Sequence, residues 1–240
     1  MCTVSVVPTA DGFRLACNRD ERRTRPTACG PRLHRTGAHQ ALWPVDPQSG
    51  GTWIGVNDAG LAMVLLNRHP RNAPVCTPTH SRGVLIPRWL GVARIETVVA
   101  RARAELGSSG GDMQFEPFTL VMIQRHDVAT VDYRGGRMAI ARRRLTRPVM
   151  FTSSSLGDEL VDRPRRRLFA ALVESSWRPL AGQAQFHRHR WPDRQQISVR
   201  MTRTDAATVS YTTIDVCGET IAIEYLCSSR SSSARSSRKT

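Results

Sequence analysis

The sequence has no long apolar run, few aromatic residues and no recognisable export signal. No stretch of its 240 residues reaches the roughly 18 apolar residues of a membrane-spanning helix. The first twenty residues carry Asp11, Arg14, Arg19 and Asp20 and lack the apolar centre of a secretory signal, so we expect a cytoplasmic protein. With 40% hydrophobic and 23% charged residues, the composition excludes a wholly disordered or collagen-like chain.

Lysine is almost absent. Of 35 basic residues only Lys239 is a lysine, a bias typical of codon usage in a GC-rich genome. The net charge of +15 favours nucleic-acid binding as one alternative, but residues 228–240 supply four of these charges, and without them the value falls to +11 (15 − 4). The remaining arginine runs are scattered and typical of solvated faces, so we rank nucleic-acid binding last among the alternatives.

Zinc and disulfide signatures are also missing. The six cysteines form no Cys-x-x-Cys pair, and they are Cys2, Cys17, Cys29, Cys76, Cys217 and Cys227. His187 and His189, with Asp193, form only a weak metal pattern, and we interpret that stretch as a polar loop or half-exposed strand. The sequence therefore predicts neither a metal site nor a cofactor.

Strand and turn patterns predict an α+β fold. Residues 3–7 and 13–17 form a hairpin around the turn Asp11-Gly12, and residues 61–66 form a buried strand that ends at Asn67. Residues 22–51 have little periodicity and are interpreted as mostly loop, with a possible strand at 41–43. Helices are predicted over 83–91, 95–106 and 158–176. Further strands are predicted over 52–56, 118–123, 129–133, 138–141, 149–152, 197–201, 208–214 and 220–225. We expect one domain over residues 1–227, followed by a basic, Ser/Arg-rich disordered tail.

Cys2 is the residue with the clearest chemical potential. An initiator methionine is removed when a small residue follows it, which would leave Cys2 with a free α-amine of pKa roughly 7.7–8.0. One residue would then supply both a nucleophile and its base. The hairpin returns Arg19 and Asp20 to the level of Cys2, where they would set the charge of the thiol, unless residues 18–21 are only a polar turn. Asn67 could donate to an oxyanion or simply end its strand.

Several segments resemble, in order and spacing, the NRDE family, which is the transport and Golgi organisation protein 2 family. They are MCT at 1–3, NRDE at 18–21, Arg25-Pro26, GGTWIGVN at 50–57, Gly60, LLN at 65–67 and SRG at 81–83. The resemblance is strong over residues 1–90 and looser beyond. There, Ser153-Ser154-Ser155 follow a strand, and Thr202-Arg203-Thr204 are similar to a late Thr-Arg strand of the family.

The NRDE family is similar to N-terminal nucleophile hydrolases, especially the bile-salt hydrolase and penicillin V acylase group. This resemblance implies a four-layer αββα sandwich and a catalytic set of Cys2, Arg19, Asp20, Asn67 and Arg203. The chain departs from that group because Arg19 and Asp20 are adjacent and because serines stand where the group has a second asparagine.

The resemblance implies a cysteine amidohydrolase that acts on a small-molecule amide or acyl substrate. The alternative is a non-catalytic protein that handles lipid or haem on the same scaffold. Trp53 and Trp191 could line a pocket, although core packing is the expected role of each. The sequence specifies neither the substrate nor the oligomeric state.

Overall fold

Two antiparallel sheets form the centre of the molecule. The computed structural model describes residues 2–69, 79–107, 114–227 and 231–237. Over these residues, sheet A has the strand order β10-β1-β2-β11-β12-β13 and sheet B the order β3-β4-β5-β6-β7-β8-β9. The strands of sheet A are β1 (Cys2–Thr9), β2 (Gly12–Arg22), β10 (Val149–Thr152), β11 (Ala206–Cys217), β12 (Thr220–Cys227) and β13 (Ser231–Ser237). Those of sheet B are β3 (Cys29–Thr36), β4 (His39–Val45), β5 (Ile54–Asn57), β6 (Leu61–Asn67), β7 (Phe118–Gln124), β8 (Asp127–Tyr133) and β9 (Met138–Arg144).

Helices cover the outer face of each sheet. Helices α1 (Leu85–Trp89) and α2 (Ile95–Leu106) pack on sheet B. Helix α3 (Asp158–Phe169), a π-helical segment (Ala170–Glu174) and α4 (Pro179–Arg188) pack on sheet A. Short 3₁₀ turns occupy Arg82–Val84 and Gln195–Ile197. Within the described ranges, no helix combines the length and apolar character needed to cross a membrane.

Three apolar clusters separate the four layers. Residues such as Val4 and Leu15 of sheet A meet Ile54 and Val64 of sheet B in the central cluster. Because side chains alternate along a strand, the other faces of the same strands are free to bury apolar residues against the helices. The two outer clusters do so, one below α1 and α2 and one below α3 and α4. The architecture is therefore the four-layer αββα sandwich that was expected.

The prediction of mostly loop over residues 22–51 is wrong, because this segment forms β3 and β4. Strand β3 lies at the edge of sheet B and is largely exposed, so it carries no apolar alternation that a sequence pattern could reveal. Its Arg32 pairs with Trp43, and the His34 ring stacks on Trp43 at 3.9 Å between ring centres. The predicted strand over 41–43 is the centre of β4.

The prediction of a strand over residues 197–201 is also wrong. Three backbone oxygens of this segment accept hydrogen bonds from side chains instead of from a neighbouring strand. Arg165 donates to the carbonyls of Ile197 (3.1 Å) and Ser198 (2.8 Å), and Asn18 donates to that of Val199 (2.9 Å). The buried apolar residues that suggested a strand lie instead in a 3₁₀ turn and an irregular stretch after it.

Helix α4 replaces the polar loop or half-exposed strand expected around His187. Residue 182, inside this helix, is a glycine because a Cβ at this position would stand 1.8 Å from the carbonyl oxygen of Leu172 in the π-helical segment. The predicted helix over 158–176 is present as α3 followed by that segment.

The C-terminal segment also differs from the expected disorder, since Ser231–Ser237 run as β13 beside β12. The boundary between a domain of residues 1–227 and a separate tail stays a prediction. Met1, Cys76 and the glycines at 110–111 lie outside the described residues, as do residues 228–230 and 238–240 of the tail.

Candidate active site

A cavity of about 720 Å³ opens at one end of the two sheets. Strand β1 begins there at Cys2, while β2 ends at Arg22 and β6 ends at Asn67. The described residues that line it are Cys2, Arg19, Glu21, Arg22, Thr24, Arg25, Asp46, Gln48, Ser49, Thr52, Trp53, Leu65, Asn67, His69, Thr79, His80, Ser81, Arg82, Gly83, Glu116, Ser155, Asp205 and Ala206. Chain segments distant in sequence therefore share one site.

Cys2 forms part of the cavity wall and is only 3% exposed. Its Cα lies opposite that of Arg19 in the register of β1 and β2. The Cys2 nitrogen donates to Ser153 Oγ at 3.2 Å, and the Ser153 nitrogen donates back to the Cys2 carbonyl at 3.0 Å. The end of β10 thus fixes the backbone of Cys2 from one side while β2 fixes it from the other.

The thiol of Cys2 is polarised by its surroundings. A hydrogen bond with the Cys17 thiol lowers the pKa of Cys2, and the nearby Arg19 charge lowers it further. Burial and the Asp20 carboxylate raise it, but the net direction is downward. Burial moves the pKa of Cys17 in the opposite direction, well above its usual value. Of the two thiols, Cys2 is therefore the more acidic.

Arg19 is fixed by three neighbours in the cavity wall. Its guanidinium lies over the Trp53 ring, 4.1 Å from the ring centre, and forms an ion pair with Asp46. Arg25 binds the same Asp46 oxygen at 2.7 Å, and Glu21 lies 3.5 Å from Arg19. These arginines hold the pKa of Asp46 below its usual value against the effect of burial.

Asp20 faces the opposite side of sheet A. It accepts a hydrogen bond from Thr208 Oγ1 at 2.6 Å on β11, and it does not line the cavity. Burial raises the pKa of Asp20, while the charges of Arg165 and Arg203 oppose this shift. The predicted pair of Arg19 and Asp20 therefore acts from two sides of one strand, Arg19 within the cavity and Asp20 behind it.

The other predicted site residues lie in or beside the cavity. Asn67 lines it at the end of β6, paired with Phe118 of β7. Arg203 lies outside the lining but donates from Nη2 to Ser155 Oγ at 3.2 Å, and Ser155 is part of the wall.

Sequence reasoning did not identify Asp46 or Arg82 as site residues, and it noted Ser153 only as one of the serines that stand where related hydrolases have a second asparagine. Asp46 opens a turn in which its Oδ1 accepts hydrogen bonds from the nitrogens of Gln48 (3.0 Å) and Ser49 (3.3 Å), and its Asp-Pro-Gln-Ser pattern could have revealed that turn. Nothing local signals that its second oxygen binds two arginines. Arg82 lies in the quoted SRG segment and pairs with Glu116 at 2.8 Å.

The histidines near residue 187 have a structural role. His187 Nε2 lies 2.7 Å from Ser5 Oγ, and His187 Nδ1 lies 3.1 Å from Asn18 Oδ1. Asn18 Oδ1 can only accept, so His187 Nδ1 carries the hydrogen, and Nε2 of the neutral ring accepts from the Ser5 hydroxyl. Gln183 also donates to Ser5 Oγ at 2.9 Å. Burial lowers the pKa of His187 to about 3, so its ring is neutral. Over the described part of the chain, no group of three or more His, Cys, Asp or Glu residues is placed to hold a metal ion.

A family model described as Transport and Golgi organisation 2 matches residues 1–189. The chain belongs to this family. The match includes the nucleophile candidate, the whole of β2 and the end of β6, and the family segments quoted above within residues 1–90 supply eleven of the 23 described lining residues. Arg203 lies beyond it. No curated protein matches this Transport and Golgi organisation 2 family chain significantly in sequence.

The solved structures similar to this family member are N-terminal nucleophile hydrolases, which establishes the fold. Penicillin V acylase from Agrobacterium tumefaciens has a TM-score of 0.62 at 16% identity, covering 99% of this chain and 86% of its own. An N-acylethanolamine-hydrolyzing acid amidase orthologue from Caenorhabditis elegans has a TM-score of 0.56 at 12% identity, with coverages of 89% and 92%. A cysteine-to-alanine mutant of conjugated bile acid hydrolase from Clostridium perfringens has a TM-score of 0.55 at 10% identity, with coverages of 99% and 92%.

Proposed function

We propose that this protein is a cysteine amidohydrolase with Cys2 as its N-terminal nucleophile. The observation that carries the proposal is the position of the Cys2 thiol, in the cavity wall opposite Arg19, with its pKa lowered. A buried thiol without a functional role would have its pKa raised by burial, as Cys17 does.

The reaction begins after removal of Met1, when the Cys2 nitrogen becomes an amine next to Ser153 Oγ. The amine takes the thiol proton, and the sulfur attacks the carbonyl carbon of the amide to form a C–S bond. The C–N bond then breaks, and the amine group of Cys2 returns the proton to the leaving nitrogen. Water attacks the resulting thioester, and the C–S bond breaks to release the carboxylic acid and restore the thiol.

Two charged groups tune the nucleophile in this scheme. Arg19 stabilises the thiolate from within the cavity, and Asp20 stabilises the protonated amine from behind the sheet. The charge of Arg165 and, to a smaller extent, that of Arg203 oppose the rise that burial causes in the pKa of Asp20. Asn67, at the end of β6, supplies an amide donor to the oxyanion of the tetrahedral intermediate.

The test uses intact mass spectrometry with p-nitrophenyl acetate as an acyl donor. We expect a chain that has lost Met1 and gains one acetyl group, which water then removes. Cys2→Ala should abolish the adduct, and Cys29→Ala is the matched control because Cys29 is exposed and outside the cavity. An amide panel then tests C–N cleavage by release of amine.

Retained Met1, or acetylation that persists in Cys2→Ala, would overturn the proposal. The alternative of a lipid- or haem-handling protein has its own signature, since a haem carrier would show a Soret band when saturated with haem, with the same intensity in Cys2→Ala. An unmodified Cys2 combined with such a band would replace the hydrolase with a carrier.

A further inference from the structure

The cavity wall is unusually polar for a site that would hold an organic acyl group. Of its 23 described lining residues, eight carry charge and ten more have hydrogen-bonding side chains. Among these described residues, the apolar ones apart from Gly83 are Cys2, Trp53, Leu65 and Ala206. Small-molecule sites are usually lined mainly by apolar and aromatic side chains, with few polar groups. This wall has the reverse composition.

These apolar side chains expose little of their surface to the cavity. The Arg19 guanidinium lies over the Trp53 ring at 4.1 Å from its centre, and Leu65 is only 4% exposed. Trp53 is otherwise buried between the sheets with Tyr225, their ring centres 6.2 Å apart. A hydrocarbon chain next to Cys2 would therefore contact a guanidinium rather than an aromatic face.

The charges of the wall are held in place by one another. Arg25 Nε lies 2.7 Å from Asp46 Oδ2, and Arg82 Nη2 lies 2.8 Å from Glu116 Oε2. If Arg82 swung away, Glu116 would lose this counter-charge, and if Arg25 swung away, Asp46 would keep only Arg19. A hydrocarbon laid over these pairs would remove their water and offer no hydrogen bond in return, which is unfavourable.

On this basis we propose that the ligands of the cavity are compact, hydrogen-bonding amides with a short acyl group, rather than amides of long-chain or polycyclic acids. That these ligands are substrates rests on the proposed amide hydrolysis. Their chemical class, in contrast, is inferred from the residues that line the cavity. Arg25 and Asp46, and Arg82 and Glu116, are the pairs that set this preference.

Chain length gives a quantitative test. An apolar chamber gains about fourfold in affinity for each methylene that it buries, so extending an acetyl group to a hexanoyl group gains about 200-fold. A cavity with a hydrated wall of fixed ion pairs gains little affinity from the same extension of the acyl group. We expect the two affinities to agree within about tenfold.

The experiment measures binding of N-acetylserinamide and N-hexanoylserinamide to the Cys2→Ala protein by calorimetry, so that no turnover is required. Saturable binding of both with a ratio below tenfold supports the proposal. A larger gain for the hexanoyl amide, or no binding of the acetyl amide, overturns it. Failure of the proposed function is distinguishable, because it appears as a wild-type protein that forms no acyl-enzyme, whatever this ratio is.

One variant of the cavity wall and one matched control outside it test whether the wall sets the preference for acyl length. Arg25→Met removes one cation from the wall and leaves Asp46 paired with Arg19, so it should raise the preference for the hexanoyl amide several-fold. Arg35→Met is the matched control, since Arg35 is exposed on β3 outside the cavity. An unchanged ratio in Arg25→Met, or an equal rise in both variants, would show that the wall does not set the acyl length.

Discussion

Cys2 lies directly opposite Arg19 across β1 and β2, while the next residue, Asp20, faces the other side of the sheet and accepts a hydrogen bond from Thr208. The two charges therefore reach the nucleophile from opposite sides. Because side chains alternate along a strand, Arg19 and Glu21 reach the cavity, and Asn18 and Asp20 face the helices. Residues 18–21 thus contribute two side chains to the cavity and two to the packing behind it.

Replacing Arg19 should make the Cys2 thiol harder to ionise. Arg19→Gln removes a positive charge that lowers the pKa of Cys2, so we expect that pKa to rise. The pH profile of Cys2 alkylation by iodoacetamide measures it. Arg19→Lys keeps the charge and should retain most of the wild-type profile. If Arg19→Gln reacts with the wild-type pH dependence, the guanidinium does not act on the thiol.

Asp20→Asn should change the pKa of Cys2 in the opposite direction, downward. Its carboxylate raises the pKa of Cys2, so its removal should shift the alkylation profile to lower pH. The same change leaves the buried Arg165 charge without its nearest carboxylate, so we expect the free energy of unfolding to fall by about 1–3 kcal/mol. Denaturant unfolding of the same variant measures this loss. A shift of alkylation to higher pH would contradict the placement of Asp20 behind Cys2.

The parts of the fold that the sequence predicts correctly depend on local signals. The hairpin of β1 and β2 has a turn of Asp11-Gly12 between two apolar strands, and β6 is a continuous apolar run before Asn67. Strand β3 has no such signal, because an exposed edge strand needs few apolar residues. Helix α4 contains Gly182 for close packing, which weakens the helical pattern.

The candidate site was predictable only for residues on these local elements. Cys2 and Asn67 lie at the ends of well-predicted strands, Arg19 follows the predicted part of β2, and all three line one cavity. Asp46 could not be found in this way, since it reaches Arg19 only after β4 joins sheet B and the sheets pack. The separate directions of Arg19 and Asp20 follow from the strand that continues through residue 22, where the sequence suggested a turn.

Gly182→Ala should destabilise the protein although alanine is the better helix former. Helix propensity alone predicts a gain of about 1 kcal/mol. A Cβ at this position would stand 1.8 Å from the Leu172 carbonyl oxygen, so α4 must move away from the π-helical segment. We expect a net loss of about 2–4 kcal/mol in the free energy of unfolding. Gln185→Ala, at an exposed position of the same helix, is the control and should change stability by less than about 0.5 kcal/mol. A Gly182→Ala protein as stable as the wild type would disprove the close approach.

His187 should make the protein sensitive to acid in a defined range. Burial lowers the folded-state pKa of His187 to about 3 from 6.5, so between these pH values the unfolded chain binds one more proton than the folded chain. The stabilisation is complete above pH 6.5 and is lost as the pH falls toward 3, at about 1.4 kcal/mol per pH unit from this group.

His187→Gln isolates this contribution, because glutamine cannot titrate. At pH 8 the variant should be less stable by about 1–3 kcal/mol, since Ser5 and Asn18 lose their ring partner. Its stability should then decline less steeply with acid than that of the wild type, so the two curves converge as the pH falls. Urea unfolding at half-unit intervals from pH 8 to pH 4 gives both curves. Parallel curves over this range would mean that His187 takes up its proton at the same pH in the folded protein as in the unfolded chain, and the Ser5 hydroxyl would then have to accept a hydrogen bond from the charged ring.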